Sequence, residues 1–98
     1  MAILSFRDKI SEDICHGRFS KQSAKRLPAE LHEKARIKLA RLAAATSLID
    51  LQDLRGNRLE MLKGDRNGQY SIRINNQYRI CFRLSDNDAY DVEITDYH

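Results

Sequence analysis

The chain has 98 residues, enough for one domain around a single modest core and too few for two. Lys and Arg number 17 against 14 Asp and Glu, and the resulting net charge of +3 is by itself only a weak pointer to nucleic acid. With 42% hydrophobic and 32% charged residues the balance is that of a globular domain, no apolar run approaches the ~18 residues of a membrane-spanning helix, and a single cytoplasmic domain over residues 1–98 is expected. Cys15 and Cys81 form no CxxC pair and are expected to be free thiols. His16 beside Cys15 has no second ligand pair elsewhere, so no metal site is expected.

In chain order, residues 2–7 read as a short first strand. Ile10 and Ile14 are spaced for one face of a short helix over 8–15, which Gly17 ends. Residues 19–26 are polar and basic, with no assigned geometry, and read as a solvated face or a connecting segment rather than a binding site. Pro28 suits a first helical turn, and Leu31, Ala35, Leu39 and Leu42 then recur at helical spacing. That pattern predicts a helix ending near Thr46, with Lys34, Lys38, Arg41 and His32 left to solvent. Residues 48–54 read as a connection, Arg55 to Arg58 as a turn, and 58–63 as another strand. Gly64 to Gly68 is a basic hairpin loop without the GxxxxGK[ST] frame of a P-loop.

From there the alternation is strict. Residues 70–74 and 78–84 both alternate apolar with polar across the short loop Asn75-Asn76-Gln77, which predicts a β-hairpin. Pairing Ile72 with Ile80 and Tyr70 with Phe82 makes one face wholly apolar and places Arg73 opposite Arg79 on the other. Like charges so placed repel, which suggests an anion between them. A third run, 89–97, follows a Ser-Asp-Asn-Asp turn. Pairing Ile80 with Ile94 and Phe82 with Val92 would set Arg83 against Asp91 and put Tyr97 on the polar face near Arg79. Tyr70, Tyr78 and Tyr90 are expected in the core. The fold class is therefore α+β: three to four antiparallel strands, a short N-terminal strand, and two helices on one face of the sheet.

The motifs LKGDR (62–66), SIRIN (71–75), YRICF (78–82) and the ending DYH (96–98) together resemble the HigB-type toxins of the RelE/ParE superfamily, the plasmid maintenance system killer family of type II toxin–antitoxin modules. The resemblance covers nearly the whole chain. It implies a RelE-like fold and a ribosome-dependent endoribonuclease that cleaves messenger RNA in the A site. It also implies neutralisation by a HigA-like helix-turn-helix antitoxin, with operator DNA reached only through that complex. The family's functional positions map onto Lys63, Arg79, Tyr97 and His98. Some relatives carry an arginine where this chain has Asn75, and Arg73, two residues earlier on the same face, is assigned that role here.

The residue chemistry agrees with such a reaction. RNA carries its own nucleophile, the 2′-hydroxyl, so neither metal nor other cofactor is needed. Arg73 and Arg79 suit the phosphate. Lys63, Tyr97 and His98 are the candidates for base and acid. Arg55, Arg58 and Arg66 would supply general attraction to RNA. Two rival readings are a non-catalytic module binding RNA or, with its antitoxin, operator DNA, and a ParE-like gyrase poison.

Overall fold

Apolar side chains at every second position of neighbouring segments determine how the sheet assembles. The computed structural model describes residues 1–53 and 56–96. Its strands β1 (Glu60–Met61), β2 (Gln69–Arg73), β3 (Tyr78–Ser85) and β4 (Asp88–Asp96) form one antiparallel sheet in chain order. β2 and β3 pair Tyr70 with Phe82, Ile72 with Ile80 and Arg73 with Arg79. β4 brings Ile94 to Ile80, Glu93 to Cys81 and Thr95 to Arg79. The connecting turns have local causes. Asn75 Oδ1 accepts from the backbone N–H groups of Gln77 and Tyr78 at 2.9 and 2.8 Å, and Asp86 and Asn87 adopt φ of 49° and 64° in the two-residue turn from β3 to β4.

The β3–β4 pairing shifts once. Beyond Cys81, Arg83 lies opposite Tyr90, and Asp91, at φ 52°, is the extra residue of a β-bulge. Strict alternation would have sent Tyr90 to the core; the bulge turns it to the polar face with Arg83. Arg83 still reaches Asp91, Nε to Oδ2 at 3.7 Å. The N-terminal segment runs parallel to β4 through two isolated bridges, Ile3 to Ala89 and Phe6 to Val92, rather than as a strand. The bulge falls between those bridges and interrupts the ladder.

Four α-helical segments occur among the described residues, α1 (Lys9–Cys15), α2 (Lys21–Arg26), α3 (His32–Ala44) and α4 (Leu48–Asp53), where two helices were expected. α2 escapes periodicity because Ser23 is its one buried residue. Its start is set by a reciprocal cap, with Ser20 Oγ accepting from Ser23 N–H at 3.1 Å and Ser23 Oγ accepting from Ser20 N–H at 2.8 Å. α4 spans less than two turns, too short for a stripe to show. Ile14, Ala35, Leu39, Leu42 and Leu51 pack against Ile72, Ile74, Ile80, Phe82, Val92 and Ile94.

Two residues expected in solvent are buried. His32, 6% exposed, sets Nε2 against the carbonyl oxygens of Leu27 (2.7 Å) and Ser23 (3.2 Å), so that nitrogen carries the proton and ties the end of α2 to the start of α3. Lys38, 5% exposed, falls at i+3 from Ala35 and i−4 from Leu42, squarely on the apolar stripe.

The helical layer is latched to the sheet through Asp8. Its Oδ1 caps α1 by accepting from Ser11 N–H at 2.8 Å, and its Oδ2 accepts from Arg26 Nη1 at 2.8 Å. Arg26 Nη1 also donates to the Ile94 carbonyl at 3.2 Å, and Ser11 Oγ accepts from Ile94 N–H at 3.0 Å. Burial alone would raise the Asp8 pKa, but the hydrogen bonds from Ser11 and Arg26 outweigh it and hold the carboxyl below the ordinary aspartate value. A carboxyl held low in the folded state adds stability that is complete at neutral pH and is lost as pH falls through the folded value. Asp8→Asn should therefore lower stability at pH 7 by about 1 kcal/mol in urea unfolding. It should also flatten the loss of stability on acidification below about pH 4; an unchanged acid limb would contradict this.

Candidate active site

The sheet face turned away from the core carries Gln69, Ser71 and Arg73 from β2, Arg79, Cys81 and Arg83 from β3, and Tyr90, Glu93 and Thr95 from β4. Arg73 and Arg79 are direct cross-strand neighbours, as the alternation requires. The fold relieves their repulsion by turning each guanidinium to neutral oxygens. Arg79, 9% exposed, donates from Nε to Ser71 Oγ at 2.7 Å, and from Nη2 to the carbonyl oxygens of Arg58 (2.5 Å) and Ser71 (3.4 Å). Its Nη1 has a carboxylate, Glu60 Oε1, no nearer than 4.0 Å. Arg73 Nη2 donates to Asn76 Oδ1. Among the described residues, these neutral acceptors take the direct hydrogen bonds of both cations.

The carbonyl that anchors Arg79 is itself aimed by an unusual backbone. Arg58 adopts φ 43°, left-handed and uncommon for a residue with a Cβ. The preceding Asn57 is fully buried and holds this turn in place. Its Oδ1 accepts from Lys38 Nζ at 2.6 Å, its Nδ2 donates to the Leu51 carbonyl at 3.1 Å, and its own carbonyl accepts from Arg73 N–H at 2.6 Å. One asparagine therefore joins α3, α4 and β2 beneath the two arginines. Burial, and then the charges of Lys34, Arg41 and Arg73, push the Lys38 pKa down.

Lys63 is exposed just beyond β1, where it leads into the 3-10 turn Gly64–Arg66. The Arg58 side chain is also exposed. Arg66 is engaged: Nη1 donates to Glu93 Oε1 at 2.9 Å and Gln69 Oε1 at 3.1 Å. Glu93 also pairs with Arg7 at 3.8 Å. Cys81 is fully buried, and burial pushes its thiol pKa up, opposed by Arg66 and Arg79 and reinforced by Glu93. Tyr97, His98 and Arg55 lie outside the described residues. β4 ends at Asp96, opposite Tyr78 and so beside the Arg79 row.

The sequence expectations gave no place at this site to Lys38, which they left to solvent, or to Asn57, Ser71, Glu60 and Glu93. Lys38 had a signal, its place on the apolar stripe of α3. Asn57 had none, because nothing in Arg-Gly-Asn-Arg distinguishes a buried hub from an ordinary turn.

A family model described as the RelE-like toxin of the type II toxin–antitoxin system HigB matches residues 4–98. The chain is 35% identical over 86 residues to Toxin HigB-1 of Vibrio cholerae serotype O1, an alignment covering 88% of this chain and 87% of that protein. It is 32% identical over 80 residues to Endoribonuclease HigB of Proteus vulgaris, covering 82% and 86%. With an uncharacterized Haemophilus influenzae protein it shares 33% identity over 64 residues, covering 65% of this chain and 63% of that one. The solved YoeB-YefM complex from Staphylococcus aureus matches with a TM-score of 0.60 at 21% identity, covering 100% of this chain and 97% of that one, a likeness of fold.

The Lys38–Asn57 contact gives a stability test. Asn57→Ala would leave a buried ammonium without its acceptor and should cost about 3 kcal/mol in urea unfolding. Lys38→Met added to Asn57→Ala should restore part of that loss, because the unpaired charge is then gone. Strictly additive losses in this double-mutant cycle would contradict the contact.

Proposed function

Since the chain belongs to the HigB-like family of RelE-like type II toxins, we propose that it is an endoribonuclease that cleaves messenger RNA in the ribosomal A site without a metal ion or other cofactor. The observation that carries this reading is the Arg73–Arg79 pair on the polar face, held by neutral acceptors so that its charge stays available to a phosphate. The endoribonuclease named in Proteus vulgaris is the relative that supports the activity.

In the proposed reaction a base removes the proton of the 2′-hydroxyl, and the 2′-oxygen attacks the adjacent phosphorus in line. The bond to the 5′-oxygen breaks as an acid protonates that oxygen, leaving a 2′,3′-cyclic phosphate and a free 5′-hydroxyl. Arg73 and the Nη1 arm of Arg79 would stabilise the charge that builds on the phosphorane. Arg79's Nε and Nη2 are taken by Ser71 and Arg58, an anchorage that orients the remaining arm before substrate arrives. Lys63, Tyr97 and His98 supply the proton-transfer groups. Arg55 and Arg58 draw RNA to the face; Arg66, paired with Glu93, contributes less. Residues 1–98 act as one toxin domain in the cytoplasm. Its partners are the ribosome with its mRNA and a HigA-like helix-turn-helix antitoxin, and operator DNA is met only through the antitoxin complex.

Translation of a defined mRNA in vitro, with primer extension to map cuts, tests the proposal. Wild type should give discrete cuts within codons only when ribosomes are present. Arg73→Ala should slow cutting roughly 100-fold or more, the size of effect seen for a lost oxyanion donor. Lys63→Ala and deletion of His98 should each slow it by a similar factor, as expected for proton-transfer groups of roughly 100-fold effect or more. Folded wild-type protein that makes no cuts would contradict the proposal.

A further inference from the structure

The polar face continues beyond Arg79 to a second place with the chemistry of an RNA contact. Arg79, Cys81 and Arg83 share this face of β3. Four residues of strand put Arg83 about 13 Å along from Arg79. There, a shallow depression of about 410 Å³ is lined by Gly68, Arg83, Leu84, Ser85, Tyr90 and Asp91.

Three observations distinguish it from ordinary surface. Tyr90 lies on this face only because of the bulge, and the left-handed Asp91 that makes the bulge is fixed by its N–H donating to Ser5 Oγ at 2.9 Å. Bulges re-aim side chains, and this one exchanges a core tyrosine for a half-buried aromatic ring facing out. Arg83 is 45% exposed, and its ion pair with Asp91 is long, at 3.7 Å, with that carboxylate 52% exposed. Such a pair is worth little and is readily exchanged for another anion. Finally, Gly68 lets the guanidinium lie close over bare backbone, since a Cβ there would sit 3.2 Å from Arg83 Nη1.

An accessible aromatic ring beside a weakly held guanidinium, on the face that carries Arg73 and Arg79, matches how single-stranded RNA is gripped. Bases stack on rings while arginines meet the backbone. We propose that this depression is a second RNA subsite. Tyr90 stacks a base, and Arg83 leaves Asp91 for a phosphate of the same strand whose cleaved bond lies at Arg73 and Arg79. The subsite rests on the endoribonuclease reading above.

The test is fluorescence anisotropy of a labelled single-stranded RNA of about 12 nucleotides, run over a salt series with antitoxin-free protein and paired with the cleavage assay. Tyr90→Leu should weaken binding roughly tenfold, one base–aromatic stack, while Tyr90→Phe stays near wild type. Arg83→Ala, an exposed change that leaves the core untouched, should flatten the salt dependence by about 0.7 in log–log slope, one phosphate contact. Circular dichroism establishes that each variant is folded, and Arg83→Ala decides the matter if Tyr90→Leu does not fold. Wild-type affinity and slope in the folded variants, with wild-type cleavage intact, would overturn the subsite alone. Unchanged RNA binding with lost antitoxin binding would also overturn it, assigning the depression to a protein. A wild type that neither binds nor cuts RNA would overturn the subsite together with the endoribonuclease reading.

Discussion

Two guanidiniums facing each other across β2 and β3 impose a cost on the sheet, and the surrounding structure answers it in a particular way. Elsewhere the protein pairs arginine with carboxylate: Arg26 with Asp8 at 2.8 Å and Arg66 with Glu93 at 2.9 Å. At Arg73 and Arg79 the direct hydrogen bonds go instead to a hydroxyl, a side-chain amide and backbone carbonyls, with the Glu60 carboxylate standing off at 4.0 Å from Arg79. Neutral acceptors fix the geometry of a cation without cancelling its charge. The positive potential therefore remains on the face, where a phosphate can use it.

The same economy extends below the sheet. Lys38 is a third cation, buried in α3 and satisfied by the Asn57 amide rather than by an acid. Asn57 passes this connection to β2 through the Arg73 backbone, and its neighbour Arg58 passes it to Arg79 through a left-handed carbonyl. Burying the Lys38 ammonium against a neutral amide costs stability, and its position beneath the arginine pair is the pattern expected where stability is given up for activity. The fold recovers stability in its apolar layer and in the Asp8 latch that holds α1 and α2 to β4.

What the sequence made legible follows from which forces act at fixed spacing. The β2–β3 register, and with it the Arg73–Arg79 juxtaposition, could be read because alternation is strict on both sides of a three-residue loop. The Ile80–Ile94 pair could be read for the same reason. Past Cys81 that reasoning failed, because a bulge depends on one residue's backbone and on a contact from Ser5 that no periodicity encodes. α2 was missed because a reciprocal cap and one buried residue define it, and α4 because fewer than two turns show no stripe. Lys38 was misread because its charge was given more weight than its position on the stripe. The acceptors that orient Arg79 include a backbone carbonyl, which has no side-chain signature at all. The role proposed for Lys63 rests on family resemblance, since an exposed lysine after β1 carries no periodic signal of its own.

In the proposed reaction this face promotes attack by the RNA's own 2′-hydroxyl on a phosphate held by Arg73 and Arg79. The most direct measurement uses ribosome-bound mRNA with a single 2′-deoxy substitution at the nucleotide carrying the attacking hydroxyl. Products of the unsubstituted message would be examined for their end groups. Cleavage at that position should disappear while ribosome binding of the message is unchanged, and the unsubstituted product should end in a 2′,3′-cyclic phosphate. Continued cleavage at the deoxy position, or a product ending in a 3′-hydroxyl, would contradict the proposed reaction.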